Sequence, residues 1–540
     1  MAKTKKNKKP RKNTSSTTNT LKNLRAKRGG KKHIVKLLQL GMDQHQSGNF
    51  VGAESSYMKI LEIQEDHSDA LYFLSVIYFD RNEVDKSEFY IRKAIASNSK
   101  IADYHMDLGN VLREKNKLEE AISSYKKTVE LKPSYAEAYF NLGYVFKELN
   151  DNLSAIDNYQ QALRHNPEMV EAHVQLGHLF LDMRDAVSAE DHFRKVLVIN
   201  GTHSDAYNKL GQALAMQNNW ESSQQAYTES LKLNPMEPET HYHLSLSYLS
   251  AGHYAEGWTE YEWRLKRKEY EDKRTYIKPR WDGSPLNGKT LLITTDGSLQ
   301  ESILFSRFLT QINTLNGQII FECQKELSTL FVANQFADKV LTKIVEEQPA
   351  TSFDVYIPLS SVPNCLNITA DSINFSNPVF EIPFATRNYW DSQKTPGKLR
   401  IGVSKTTQLC DGFFDKLKEF KHENIEFVNL DSEISLLKND GWLTQIKFPA
   451  VETPLVNLSG LIQSLDLIIA EDSLAAYVAG ALEKPTWVVL PRHYSWVWIA
   501  DGVDSSWYPS HQLLKADQQN QWDGVFSKIM EQLVSLAVEE

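Results

Sequence analysis

Two short stretches in the C-terminal part of the chain carry residues suited to chemistry. Asp472-Ser473 follows the apolar run Leu467-Ile468-Ile469-Ala470 and precedes the small and apolar residues from Leu474 to Leu482. A strand end passes into a helix start there. The first N–H groups of a helix have no partner within it and carry partial positive charge, which suits a phosphate or another anion. Ser404-Lys405 follows a second predicted strand, Leu399 to Val403, and offers a hydroxyl and an ammonium to the same kind of ligand. The plain structural alternatives are an N-cap at Asp472 or Ser473 and a solvated loop cation at Lys405. Cys323, Cys365 and Cys410 stand far apart, without the paired spacing of a zinc site or a disulfide framework.

The elements that must position these residues begin at Lys289. Thr290 to Thr294 is a short apolar strand, Glu301 to Ile312 has helical spacing, and Gln318 to Glu322 is a strand again. Further strands are predicted at Lys339–Leu341, Asp354–Ile357, Leu399–Val403, Ile425–Leu430, Leu467–Ala470 and Thr486–Leu490. Alternation of strand and helix implies a parallel sheet covered on both faces. The polar stretch from Phe384 to Lys398, with Pro396-Gly397, divides the region into halves at 289–390 and 398–540. Two Rossmann-like halves with a cleft between them follow.

The first half of the chain has a different beat. A leucine followed by a small residue recurs every 34 positions, at Leu40-Gly41, Leu74-Ser75, Leu108-Gly109, Leu142-Gly143, Leu176-Gly177, Leu210-Gly211 and Leu244-Ser245, the period of a tetratricopeptide repeat. Gly143 and Ala155 let two helix backbones approach, while Tyr139, Leu142, Phe146 and Tyr159 fill the spaces between. Pro133, Pro167 and Pro235 stand where the second helix must stop. Seven repeats are predicted over 34–268, an α-solenoid. The first two are looser, with Gln44 and Ile91 at usually aromatic positions, as end copies are.

Such repeats bind peptide segments along their first helices, so a protein or peptide partner is expected. The residues before the repeat leucines are Gln39, Phe73, Asp107, Asn141, Gln175, Lys209 and His243. Only Asn141 fits the asparagine ladder of the O-GlcNAc transferase superhelix, so binding through a ligand backbone in that manner is not expected.

Residues 1–33 hold thirteen Lys and Arg and no acid, and leave the remainder of a chain of formal charge −9 strongly acidic. This segment cannot bury enough apolar surface to fold alone. It reads as a solvated tail, with tethering to nucleic acid or an anionic membrane face as the sharper alternative. No apolar run is long enough to span a bilayer and no secretory signal is recognisable, so a cytoplasmic, reducing location is expected.

A docking seam is expected at 269–288, after Gly257-Trp258 and Tyr261-Glu262-Trp263-Arg264 and around Trp281-Asp282-Gly283. Repeats ending this way resemble a bacterial group whose C-terminal half is similar to the heptosyltransferases, a GT-B glycosyltransferase family. Asp472-Ser473, Ala479-Gly480-Ala481-Leu482, Lys484-Pro485-Thr486-Trp487 and Trp507-Tyr508-Pro509 carry the likeness. The resemblance implies a GT-B-like α/β domain and a glycosyltransferase that presents a protein acceptor on its repeats, flagellin or another surface protein being one acceptor class. It implies a nucleotide-sugar donor held without a metal at Ser404, Lys405, Asp472 and Ser473; no Asp-x-Asp pair occurs in the chain. Glu301 would be the general base, and Tyr477, Trp496 and Trp498 would line the cleft. The chain departs from the family where Ser298 and Gln300 replace glycines, Tyr477 a histidine and Glu483 a glycine. Those changes favour the alternative, a non-catalytic protein-binding scaffold.

Overall fold

The computed structural model describes residues 32–270, 274–344, 347, 349, 351–373, 378–407, 410–431, 443–444, 454–491, 494–498, 504–516 and 522–538. The basic tail, apart from its last two residues, lies outside them. The described residues form two compact units divided between Ala206 and Tyr207.

The first unit is built of helix pairs: Lys32–Gln46 with Phe50–Ile63, Ser68–Asp80 with Val84–Ser97, Ala102–Glu114 with Leu118–Leu131, Ala136–Glu148 with Asn152–His165, and Val170–Asp182 with Ala186–Ile199. Close approach explains the repeat glycine. A Cβ on Gly109 would sit 2.4 Å from the ring of Tyr125, and one on Gly143 2.8 Å from the ring of Tyr159. Both rings are fully buried. In the second repeat Ser75 replaces the glycine and the smaller Ile91 replaces the ring, so the looser copy is still filled.

The turn within each pair keeps its own beat. Gly48, Asn82, Asn116, Asn150 and Arg184 all have positive φ, between 58° and 80°. Four of the five are glycine or asparagine, the residues that accept a left-handed backbone most readily. The following helix is then capped by side chains such as Asp151 and Asp185, which accept from the N–H groups of Ser154 and Ser188.

The second unit opens within the helix Ser204–Ala215, followed by the repeat helices Trp220–Leu233, Pro238–Ser250 and Tyr254–Tyr261 and a 3-10 turn at Glu262–Lys266. Two parallel sheets follow. The first contains β1 (Thr290–Thr294), β2 (Gln318–Cys323), β3 (Lys339–Thr342) and β4 (Val355–Pro358) in the order β3-β2-β1-β4. The second contains β5 (Leu399–Ser404), β6 (Ile425–Asn429), β7 (Leu467–Ala470), β8 (Thr486–Leu490) and β9 (His511–Lys515) in the order β6-β5-β7-β8-β9. Every residue of β5, β7 and β8 is buried, Arg400, Ser404 and Thr486 included, which is why these strands are rich in apolar residues.

Three details differ from the sequence reading. The helix expected over 301–312 is two, Leu299–Ser306 and Leu309–Ile312. The polar stretch from Phe384 holds a helix, Phe384–Ser392, whose buried Trp390 lies against Gly460. Strand β9 had no prediction. The last repeat also shares one apolar core with the α/β residues: Trp258 packs on Phe305, Trp496 and Trp507 at ring-centroid distances of 6.0, 5.7 and 6.4 Å. Its indole N–H donates to the carbonyl of Ile368 at 3.1 Å. Among the described residues no helix is long and apolar enough to cross a membrane.

Candidate functional site at the carboxyl edges of the two sheets

In an open parallel sheet, ligands bind outside the carboxyl ends of the strands where the strand order reverses. In the second sheet that point lies between β5 and β7, whose last residues, Ser404 and Ala470, are in register. Ser473 follows three residues later as the N-cap of the helix Leu474–Ala481. Its hydroxyl makes no capping bond; it lies 2.9 Å from the hydroxyl of Ser404, which donates onward to Asp431 at 2.8 Å. The structure thus joins Ser404 and Ser473, two residues placed there from the sequence.

The rest of this edge is acidic. Asp431 accepts the N–H of Lys405 at 2.7 Å, and Glu471 accepts those of Thr406 and Thr407 at 3.0 and 2.8 Å. Carboxylates of the chain therefore occupy backbone donors that could otherwise meet a phosphate. Lys405 is not the solvated cation of the simpler reading: it is buried, with its ammonium 2.5 Å from Asp411. Burial pushes Asp431, Glu471 and Asp472 above the usual carboxylate range. Asp472 itself is exposed, between the buried Glu471 and Ser473.

Glu301 lies at the third position of Leu299–Ser306, a helix packed against Leu474–Ala481. Its Oε2 accepts the Ser298 N–H at 2.9 Å, and Ser298 Oγ accepts the Glu301 N–H at 3.2 Å, a reciprocal capping box. Its Oε1 accepts the hydroxyl of Tyr261, the end of the last repeat helix, at 3.2 Å. The charge on Glu301 also contributes to holding the phenols of Tyr242, Tyr261 and Tyr477 protonated, behind burial in each case. Asp472 and Glu301 thus both act on Tyr477, which lies on the helix that Ser473 begins.

The aromatic lining is only partly as expected. Trp498 is a core residue with no exposed surface, its ring 5.2 Å from Tyr477, 5.8 Å from Tyr508 and 5.9 Å from His511. It is buried in the core shared with the first-sheet and last-repeat residues rather than lining the cleft. Trp496 is half-buried against Trp507 at 5.3 Å, and Tyr477 is buried beneath Asp472.

The edge of the first sheet is occupied. Its reversal point lies between β1 and β4, and Arg264 from the turn after the last repeat fills it. The guanidinium is buried, 2.6 Å from Asp296 and 2.7 Å from the Ser361 hydroxyl, while Asp296 accepts the Ser360 N–H at 3.0 Å. Arg274 joins Glu322 through both nitrogens, at 3.1 and 2.7 Å. These residues were not singled out from the sequence as a site, because their partners are 32 and 48 positions away.

Models of tetratricopeptide repeats match residues 68–101, 109–150, 140–205 and 208–262. Tetratricopeptide repeats are present. Protein FlbA of Caulobacter vibrioides is 22% identical over 316 residues, covering 52% of this chain and 52% of that protein. The UDP-N-acetylglucosamine--peptide N-acetylglucosaminyltransferase of Caenorhabditis elegans is 32% identical over 87 residues, 16% of this chain and 8% of that protein. The chain thus spans about half the length of the first relative and a small part of the second. Among solved structures, YrrB, a TPR protein with an unusual peptide-binding site, aligns at 21% identity and a TM-score of 0.32, over 34% of this chain and 95% of that one. Pseudomonas aeruginosa PilF aligns at 22% and 0.36, over 39% and 97%.

Proposed function

We propose that the chain is a glycosyltransferase of GT-B type that binds a protein acceptor through its repeats and takes a nucleotide-sugar at the edge of the second sheet. The observation that carries this reading is the convergence of Ser404, Ser473 and Asp472 at the β5/β7 reversal, beside the helix that bears Glu301. The helix amino end there would meet the donor diphosphate. The acceptor hydroxyl oxygen would attack the anomeric carbon as the bond to the diphosphate breaks, its electron pair leaving with the diphosphate. The hydroxyl proton would pass to Glu301. Flagellin or another surface protein remains the acceptor class suggested by the layout.

A second reading, a protein-binding scaffold without catalysis, is favoured by two observations. Arg264 fills the reversal point of the first sheet, and Asp431 and Glu471 occupy the N–H groups next to Ser404.

A thermal-shift panel of nucleotide sugars separates the two. A true donor stabilises the protein by about 2.7 kcal/mol at a hundredfold excess over its Kd. Asp472→Lys should abolish the shift, and Glu301→Gln should keep it while removing transfer. No shift with any nucleotide establishes the scaffold. Undiminished transfer by Glu301→Gln means that the base lies elsewhere.

A further inference from the structure

The first unit holds a cavity of about 650 Å³ along the first helices of the third to fifth repeats. Its wall is apolar at Phe140, Val170 and Val174, and Tyr144 closes one side with the guanidinium of Arg113 5.1 Å from its ring centroid. No carboxylate is paired with Arg113 among the described residues, so its charge faces the groove stacked on an aromatic face. The amide of Gln175 and the imidazole of His203 are set as donors. Gln175 accepts from Lys147 through its carbonyl at 2.9 Å, which turns its NH₂ outward. His203 accepts the Ala206 N–H on Nδ1 at 3.1 Å, which leaves the proton on Nε2. Glu171 is the acidic member of the lining.

Resting on the reading of the repeats as protein-binding, we propose that this groove takes an extended peptide with an acidic side chain against Arg113 and an aliphatic side chain between Phe140 and Val174. Gln175 and His203 then meet main-chain carbonyls, the acceptors an extended peptide presents at every residue. Glu171 meets a main-chain N–H. A basic side chain at the Arg113 end is excluded by like charge, and a wholly polar peptide leaves the apolar wall uncovered. The surface is thus selective by charge at one end and by apolar volume in the middle.

The test uses the full chain and fluorescein-labelled octapeptides in glycine-serine flanks, with cores Leu-Ser-Glu and Glu-Ser-Leu, read by anisotropy. Companion peptides replace the glutamate by lysine or the leucine by serine. One of the two acidic cores should bind at least tenfold more tightly than its lysine counterpart, and the leucine-to-serine peptide should lose a similar factor. Arg113→Glu should invert the order of the glutamate and lysine peptides, and Val174→Arg should weaken all of them, both with unchanged circular dichroism. If the lysine peptide binds as well as the glutamate one, or Arg113→Glu leaves the order unchanged, the charge assignment is wrong while peptide binding by the repeats stands. If none of the peptides binds, the groove is not a peptide site at all. Neither result touches the nucleotide-sugar experiment, which is read without peptide.

Discussion

The hydroxyl of Tyr261 donates to Oε1 of Glu301 at 3.2 Å, so the tyrosine that ends the last repeat helix holds the carboxylate near the start of a helix of the α/β residues. Tyr261 stands sixteen residues after Ser245, as Tyr125 stands after Gly109 and Tyr159 after Gly143. It therefore occupies the notch-filling position of its repeat. Among the described residues Tyr159 finds no hydrogen-bond partner for its hydroxyl, whereas Tyr261 directs its own to Glu301. Tyr261→Phe should cost about 0.5–1.5 kcal/mol of unfolding free energy, the usual net worth of one hydrogen bond. Under the transferase reading it should also lower kcat without changing donor affinity. Urea unfolding and donor titration check the two halves of this expectation.

Arg264 and Asp296 form a buried pair whose members cannot be removed singly. Arg264→Met leaves an uncompensated carboxylate beside the Ser360 N–H and should cost about 3–5 kcal/mol. Asp296→Asn in the same chain should recover part of the loss, because the amide keeps an acceptor without the charge. A double-mutant cycle in urea measures the coupling; additive losses would show that the pair acts independently.

At Arg184 the left-handed turn position carries a residue with a Cβ and an exposed side chain, where the neighbouring repeats carry asparagine. Arg184→Gly should stabilise the first unit by about 1 kcal/mol, since the Cβ strain is relieved. The opposite sign in thermal unfolding would mean that the arginine side chain makes up the cost.

Gly143→Ala places a methyl against the ring of Tyr159 and should destabilise by about 1–3 kcal/mol, the range for overpacking a tight contact. Pairing it with Tyr159→Leu should restore part of the stability, as Ser75 and Ile91 already coexist in the second repeat. Urea midpoints of the single and double variants decide this.

Acid should weaken the second unit. His511 is buried, donates Nε2–H to the carbonyl of Ala476 at 3.0 Å, and is pushed by burial from 6.5 down to about 4; His243 behaves alike. A group with a depressed basic pKa binds fewer protons folded than unfolded, so stability is full above pH 6.5 and falls as pH drops toward 4. The carboxyls Asp431, Glu471 and Asp472, raised by burial, act in the opposite sense: the folded state binds more protons, and their contribution is lost as pH rises above the ordinary carboxylate range. Stability should therefore fall less steeply between pH 7 and 4 than the histidines alone dictate. His511→Gln should flatten the curve.

The repeats were legible because a close glycine-ring contact forces the same residue type every 34 positions. The turn register at Asn82, Asn116 and Asn150 carries the same period and was open to the same reading. In the α/β unit, strands buried on both faces stand out as apolar runs, whereas β9, with His511, Gln512 and Lys515 around two leucines, does not. Ser404 and Ser473 were reachable because each closes such a run. The spelling Ser298-Leu299-Gln300-Glu301 is that of a capping box, and it accounts for Glu301 locally. Arg264 was not legible as a plug, since nothing in a local window names Asp296 as its partner.

The plug also sets the unit of exchange. An insertion, fusion or recombination event that joined new repeats at residue 289 would keep Asp296 and Glu322 and discard Arg264 and Arg274, stranding two buried carboxylates. A junction before Trp220 carries both arginines along with Trp258 and Tyr261. Binding specificity can thus be replaced repeat by repeat upstream, while the final repeat is inherited with the sheets it closes.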